Sequence, residues 1–182
     1  AIFRLNGLSG GYKLGAMFDY NSPSMNPSSK LMDIFSSDEH AWAGTDIRSE
    51  LLSYKSSGGD EFSGVCMKFT DTEDIDDTQK RYVPFVLRLS EMYLIRAEAA
   101  CHDGDIDTAV SDIATLEARA RGVKASEINV VYSNAEELDR IIRRERVKEL
   151  FLEGHRLFDL TRRHETLSRD AACGSSVLSM TY

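Results

Sequence analysis

The chain has 182 residues with a net charge of −8 and a pI near 5.0, which argues against a nucleic-acid or anionic-membrane surface. No stretch reaches the ~18 apolar residues of a membrane span. The cysteines Cys66, Cys101 and Cys173 show no C-x-x-C spacing, so the sequence indicates neither a zinc site nor a disulfide framework, and no cofactor. The length suffices for one domain that buries roughly 70% of its unfolded surface.

In chain order, residues 1–30 alternate short apolar runs with Gly, Asn, Ser and Pro, a loop pattern with a short strand at 2–5. Ser28 or Ser29 can cap a short helix carrying Leu31, Ile34 and Phe35. Trp42, the only tryptophan, follows Asp38, Glu39 and His40. It can be a core anchor or a platform on which a sugar ring stacks. Asp46 and Arg48 suggest a local ion pair that fixes a turn. Residues 50–55 and 65–69 read as strands joined by a turn at 56–60. The acidic run at 71–77 lacks the Gly and Glu of a calcium-binding EF-hand loop and reads as solvated.

From Pro84 the chain turns helical. Arg88, Glu91, Glu98 and His102 share one side of the first helix, and Gly104 offers its C-cap. Cys101 reads as a small buried hydrophobe. Asp105 can N-cap a second helix with Ile106, Ala109, Val110, Ile113 and Leu116 on one face, ending at Gly122. Tyr93, Ala97, Ala100, Gly104, Ala109 and Ile113 have the spacing of a tetratricopeptide helix pair. One such unit cannot bury its own faces, so a helical partner is expected. After a linker, residues 133–136 offer a capping box for the next helix. Gly154 predicts a kink or break, with a short helix at 156–163 in which Asp159 reaches Arg162 or Arg163.

In that third helix Glu145, Glu149 and Glu153 recur every four residues, on the stripe that holds Leu138, Ile141, Ile142 and Leu152. Carboxylates on an apolar stripe need partners, because an unpaired buried charge costs several kcal/mol. Arg144, Arg146, Lys148, Arg156, Arg162 and Arg163 lie in the same run. A catalytic or metal role is the alternative, but neither His155 nor His164 has the Glu-x-x-His spacing of a di-iron bundle. The residues favour a structural ion-pair network of Glu145, Arg146, Glu149, Glu153, Arg156, Asp159 and Arg162, with no catalytic residue and no metal ligand assigned.

The run ER-x-x-EL-x-x-EG-x-R-x-x-DL-x-R, from Glu145 to Arg162, resembles the signature of the SusD/RagB family. The stretch VLRLSEMYLIRAEAA at 86–100 resembles that family's other hallmark segment, and residues 118–122 its Arg/Ala/Gly turn. The resemblance implies a nutrient-binding lipoprotein of the outer membrane in Bacteroidota. Such a protein captures glycans, or in some relatives peptides, for uptake through a SusC-type TonB-dependent transporter. It also implies that this chain is the C-terminal portion of a longer protein, trimmed at both ends, whose N-terminal helical half supplies the missing partner.

The expected fold is therefore mainly α, with tetratricopeptide-like helical pairs, irregular loops and short strands (SusD-like, truncated). Residues 1–83 form a loop-rich ligand-side segment, 84–165 the helical signature region and 166–182 a C-terminal loop. The expected function is non-catalytic glycan binding. Trp42, Tyr54 and Tyr20 are the candidate platforms, with Asp38, Glu39, His40 and Lys55 at the rim. A glycosidase needs a spaced carboxylate pair, and no spacing selects one. A helical scaffold for protein partners is the remaining alternative.

Overall fold

The structure, a computed structural model, describes residues 3–4, 26–37, 42–55, 58–68, 85–169 and 179–180. Tyr20, Asp38, Glu39, His40, Cys173 and the acidic run at 71–77 lie outside the described residues.

A two-residue strand, β1 (Phe3–Arg4), precedes helix α1 (Ser29–Ser36). Ser28 caps α1, its Oγ accepting from Leu31 N at 3.3 Å. The next element departs from the sequence reading. Residues 50–52 belong to a 3-10 turn over Ile47–Leu52, capped by Asp46, and not to a strand. The hairpin is shorter: β2 (Ser53–Lys55) pairs antiparallel with β3 (Glu61–Ser63), with Tyr54 opposite Phe62. Val65 and Cys66, expected in a strand, are buried outside any regular element. Met67 N and Gly64 N instead bond to Leu51 O at 2.7 Å and Leu52 O at 3.1 Å.

Strand β4 (Phe85–Leu87) pairs antiparallel with β1 and leads into α2 (Leu89–Asp103), so the helix starts later than Pro84. Helix α3 (Ile106–Arg121) returns beside α2. Gly104 and Gly122 cap the two helices, and Asp105 accepts from Thr108 N at 3.2 Å. The inner faces carry Leu94, Ala97, Ala100 and Cys101 on α2 against Ala109, Ile113 and Leu116 on α3. Small side chains at 97, 100 and 109 leave room for the backbones to approach closely.

Helix α4 (Ala135–Leu150) closes this core with Leu138, Ile141 and Ile142. Its cap falls on Asn134, whose Oδ1 accepts from Glu137 N at 2.9 Å while Glu137 bonds back to Ser133 N at 2.6 Å. The cap is thus one residue later than a box on Ser133 and Glu136. The helix breaks before α5 (His155–Arg162), with Leu152 at φ 60° and Gly154 at φ 88°. Leu152 consequently leaves the apolar stripe and is 38% exposed. A smaller core joins Leu31, Leu52, Cys66 and Phe151, with the Phe35 ring edge-on to Phe151. The described chain ends in β5 (Leu167–Ser168) paired antiparallel with β6 (Ser179–Met180).

Two glycines separate conformational from steric cost. Gly44 sits at φ 76°, and a Cβ there would come within 2.8 Å of Arg121 O. Gly154 has φ 88°, and a Cβ there meets nothing within 4 Å. Gly154→Ala is expected to cost only the ~1–2 kcal/mol of a left-handed residue. Gly44→Ala should cost more, because backbone must move as well. Urea unfolding of the two variants compares them.

Candidate functional site

The described part of the molecule is centred on one guanidinium. Asp46 caps the 3-10 turn by accepting from Arg48 N at 3.1 Å, and holds the Arg48 side chain in a fork at 2.8 and 2.7 Å. That local pair aims Arg48 into the gap between α3 and α4. There it meets Glu117 at 3.2 Å, Glu149 at 3.0 Å and Glu145 at still closer range. Lys148 reaches Glu117 at 3.1 Å and Asp46 at 3.5 Å, while Arg121 takes the other oxygen of Glu117 at 2.9 Å. Arg88, just ahead of α2, bonds Glu149 at 2.5 Å and Glu153 at 2.8 Å. Lys68 bonds Glu153 at 2.5 Å and rests over the Phe151 ring.

The ladder of Glu145, Glu149 and Glu153 is therefore paired, but chiefly by cations distant in sequence. Of the cations in its own run, Lys148 joins through Glu117 and Asp46. Arg144 reaches back to Ile34 O at 2.8 Å and to Ser37. Arg156 is exposed and makes no ion pair with another described residue, so it stands outside the network assigned to it. Arg146, Asp159 and Arg162 form a second cluster under α5. Asp159 holds Arg146 at 2.8 Å and Arg162 at 3.0 Å. Arg162 bonds Glu98 at 2.6 Å, and Arg163 joins Glu98 to Asp139.

Glu98, His102 and Asp139 lie close enough to share a metal ion. Arg162 and Arg163 already occupy the Glu98 oxygens, and Arg163 and Arg143 those of Asp139. Three guanidinium groups at that spot oppose a divalent cation. Beside them lies an open cleft of about 350 Å³ lined by Ile95, Glu98, Ala99, His102, Arg146 and Arg162.

Charge pairing sets the titration of the lattice. Burial disfavours the Glu149 carboxylate, yet Arg88 and Arg48 override it and hold the group down at about 2. Burial likewise opposes the charge on Glu117, but its contact with Glu145 and the cations Lys148, Arg48 and Arg121 hold it well below the usual carboxyl range. Glu145 goes the other way: burial pushes it up to about 8 against the pull of Arg48. Burial works against Arg48 too, but Glu145 and Asp46 win and raise it further. Lys68 is lowered by burial despite Glu153.

The candidate binding residues lie apart from these clusters. Trp42 is partly buried against the main core, its Nε1–H donating to Asn129 O at 2.6 Å and Arg121 lying 5.4 Å from its ring. These contacts make it an anchor for the loop that leads to Asp46. Tyr54 stacks on Phe62 across the hairpin, with ring centroids 6.1 Å apart, and Lys55 pairs with Glu61 on the exposed face. Sequence spacing does not point to Arg48, Arg88 or Lys68 as partners of the ladder; the Asp46 and Arg48 pair is the local signal for the first.

Paired helices locked together through buried charge make up the described fold. The chain belongs to the SusD family, whose family model matches residues 35–175. A SusD superfamily protein of Bacteroides vulgatus is 30% identical, at a TM-score of 0.57 over 79% of this chain and 30% of its own. A SusD-like carbohydrate binding protein of the same species is 26% identical, with a TM-score of 0.56 over 87% of this chain and 33% of its own. A third Bacteroides vulgatus structure, 23% identical, superposes on 98% of this chain and 39% of its own at a TM-score of 0.71, a likeness of fold. The chain thus spans about a third of the length of these solved structures. No curated protein matches it.

Glu149→Gln leaves Arg48 and Arg88 short of a buried counter-charge and is expected to cost about 3–5 kcal/mol. Arg156→Ala, at an exposed position, should stay within about 0.5 kcal/mol. Glu149 titrates lower in the folded than in the unfolded chain, as do Glu117 and Glu98. Their stabilisation is complete above the ordinary glutamate value of ~4.3 and is lost as pH falls from there toward 2. Thermal melts of both variants, and of the parent between pH 2 and 5, check all three outcomes.

Proposed function

We propose that this chain is the C-terminal portion of a non-catalytic glycan-binding protein. It would work at the outer-membrane surface, held there by a lipid anchor outside this chain, and deliver oligosaccharides to a SusC-type TonB-dependent transporter. The match to the SusD family over 35–175 carries this reading. A relative named as a SusD-like carbohydrate binding protein supports it. The state of the central carboxylates is in keeping with a non-catalytic role. Asp46, Glu117, Glu145 and Glu149 are at most 9% exposed in their side chains and crowd around Arg48. Glycoside hydrolysis needs two carboxyl groups facing a substrate cleft.

Capture of sugar rings calls for flat apolar faces with hydrogen-bonding groups beside them. Tyr54 and Phe62 bring such faces together on the hairpin, next to Lys55 and Glu61. Tyr20, Asp38, Glu39 and His40 complete the proposed ligand side, with Trp42 anchoring the loop that leads to Asp46. A RagB-like peptide ligand is the alternative for the same loops.

Exposed apolar side chains on α2 and α5 favour a protein partner as well. Leu89 and Ile95 on α2 are 59% and 48% exposed, and Leu157 and Phe158 on α5 51% and 71%. Exposed apolar residues on helices of a lone tetratricopeptide-like pair suit a further helical element. The N-terminal helical half of the protein is the proposed occupant.

In native gels run against soluble polysaccharides, the parent should be retarded and Tyr54→Ala should not, at an unchanged melting temperature. Trp42→Ala should lower the melting temperature. Retention of binding by Tyr54→Ala would remove the hairpin from the site. Retardation of no variant by any polysaccharide, with retention on a peptide array, would replace glycan by peptide. Phe158→Glu should abolish co-purification with an N-terminal helical fragment supplied in trans. Unchanged recovery would discard the proposed face.

A further inference from the structure

The hub of the lattice is one donor short. A guanidinium has five N–H bonds, two of them on each Nη. On Arg48, Nε–H meets Asp46 Oδ1 at 2.8 Å, and Nη1 serves Glu145 Oε1 and Glu149 Oε2. The two hydrogens of Nη2 then face three carboxylate oxygens: Asp46 Oδ2 at 2.7 Å, Glu117 Oε1 at 3.2 Å and Glu145 Oε2 at 3.3 Å. Lys148 and Arg121 make up the shortfall for Glu117, at 3.1 and 2.9 Å. Glu145 Oε2 keeps only the longest of these contacts, on a side chain 2% exposed. Glu117 Oε1 and Glu145 Oε2 meet on the same Nη2, at 3.2 and 3.3 Å, so the two carboxyl groups are neighbours around one nitrogen and compete for its hydrogens.

We propose that Glu145 keeps a proton at neutral pH, shares it with the Glu117 carboxylate, and that this proton latches the turn over Ile47–Leu52 onto α3 and α4. The proton supplies the missing donor and removes one of two adjacent buried charges. It stays on Glu145 because Lys148, Arg48 and Arg121 stabilise the charge of Glu117. Among the described residues, the turn, α3 and α4 each put charged groups in the cluster. The turn supplies Asp46 and Arg48, α3 supplies Arg121, α4 supplies Lys148 and Glu149, and Arg88 and Arg119 approach through Glu149. The raised titration of Glu145 is in keeping with this donor count. Ionisation would leave Glu145 Oε2 with only its long, shared contact to Arg48 and loosen the turn. The Gly64 and Met67 amides bond to carbonyls of that turn and would lose their protection with it. This device is independent of the proposed ligand.

The folded group titrates above the unfolded one, so its stabilisation is complete below the ordinary glutamate value and is lost as pH rises toward 8. Urea unfolding of the whole chain, read by Trp42 fluorescence, tests the proton. In the parent the unfolding constant should rise about tenfold per pH unit between pH 5 and 8. Glu145→Gln, a neutral isostere, should fold and abolish that slope. Hydrogen exchange tests the latch: Gly64 and Met67 should lose protection at a lower pH than Leu94 of α2. A parent whose unfolding constant is independent of pH overturns the proposal. So does a Gln variant that fails to fold or keeps the slope. Simultaneous loss of protection at Gly64, Met67 and Leu94 would reduce the latch to global unfolding and overturn that part.

Discussion

The structure depends on keeping Arg48 surrounded by carboxylates inside a buried seam. A buried ion is tolerated only when counter-charge and hydrogen bonds replace the water it has lost. Asp46 does this locally, and Glu117, Glu145 and Glu149 do it from two helices. Because one guanidinium serves all of them, the turn, α3 and α4 cannot move independently. Removing any member leaves several charges short of partners. The cost of a single replacement is thus much larger than the net worth of the intact lattice. Such a lattice specifies which surfaces meet more than it adds to stability.

The apolar packing and the lattice divide the work between them. Leu94, Ile113, Leu138 and Ile142 are fully buried and hold α2, α3 and α4 together by water exclusion. That force has no direction and would tolerate sliding. The lattice does have direction, since each carboxylate must meet a particular N–H. The break at Gly154 matters for the same reason. It turns α5 so that Asp159 comes back to Arg146 and places Arg162 against Glu98 of α2. A continuous helix would carry Asp159 away from both.

What the sequence made legible is what local chemistry decides. The caps at Ser28, Gly104, Asp105 and Gly122 depend on residues within a turn of each other, and all were readable. So was the apolar face of α3. The need for partners on the Glu ladder could be read, but their identity could not. Nearby cations looked sufficient, whereas Arg48 lies 97 residues from Glu145 and Arg88 lies 61 from Glu149. Spacing carries no information about such closures. Arg156 belongs to the same run of cations as the ladder, but beyond the break at Gly154. The left-handed residues 152 and 154 rotate it out to solvent. Residues 50–52 differ from the strand expectation for a related reason. Leu51 and Leu52 look like strand, but Asp46 caps a turn there and Arg48 then fixes it from afar.

A carboxyl displaced from its normal titration range often marks a catalytic acid, so Glu145 could invite that interpretation. Its setting argues otherwise. General acid chemistry requires the proton to reach a substrate atom within hydrogen-bond distance. Glu145 and Glu117 are 2% and 0% exposed, and their oxygens face Arg48, Arg121 and Lys148. Opening a path for substrate would strip several charges of their partners at once. The same desolvation that shifts Glu145 also seals it. The displaced carboxyl is therefore better understood as part of the clamp that fixes the loop-bearing turn on the helices.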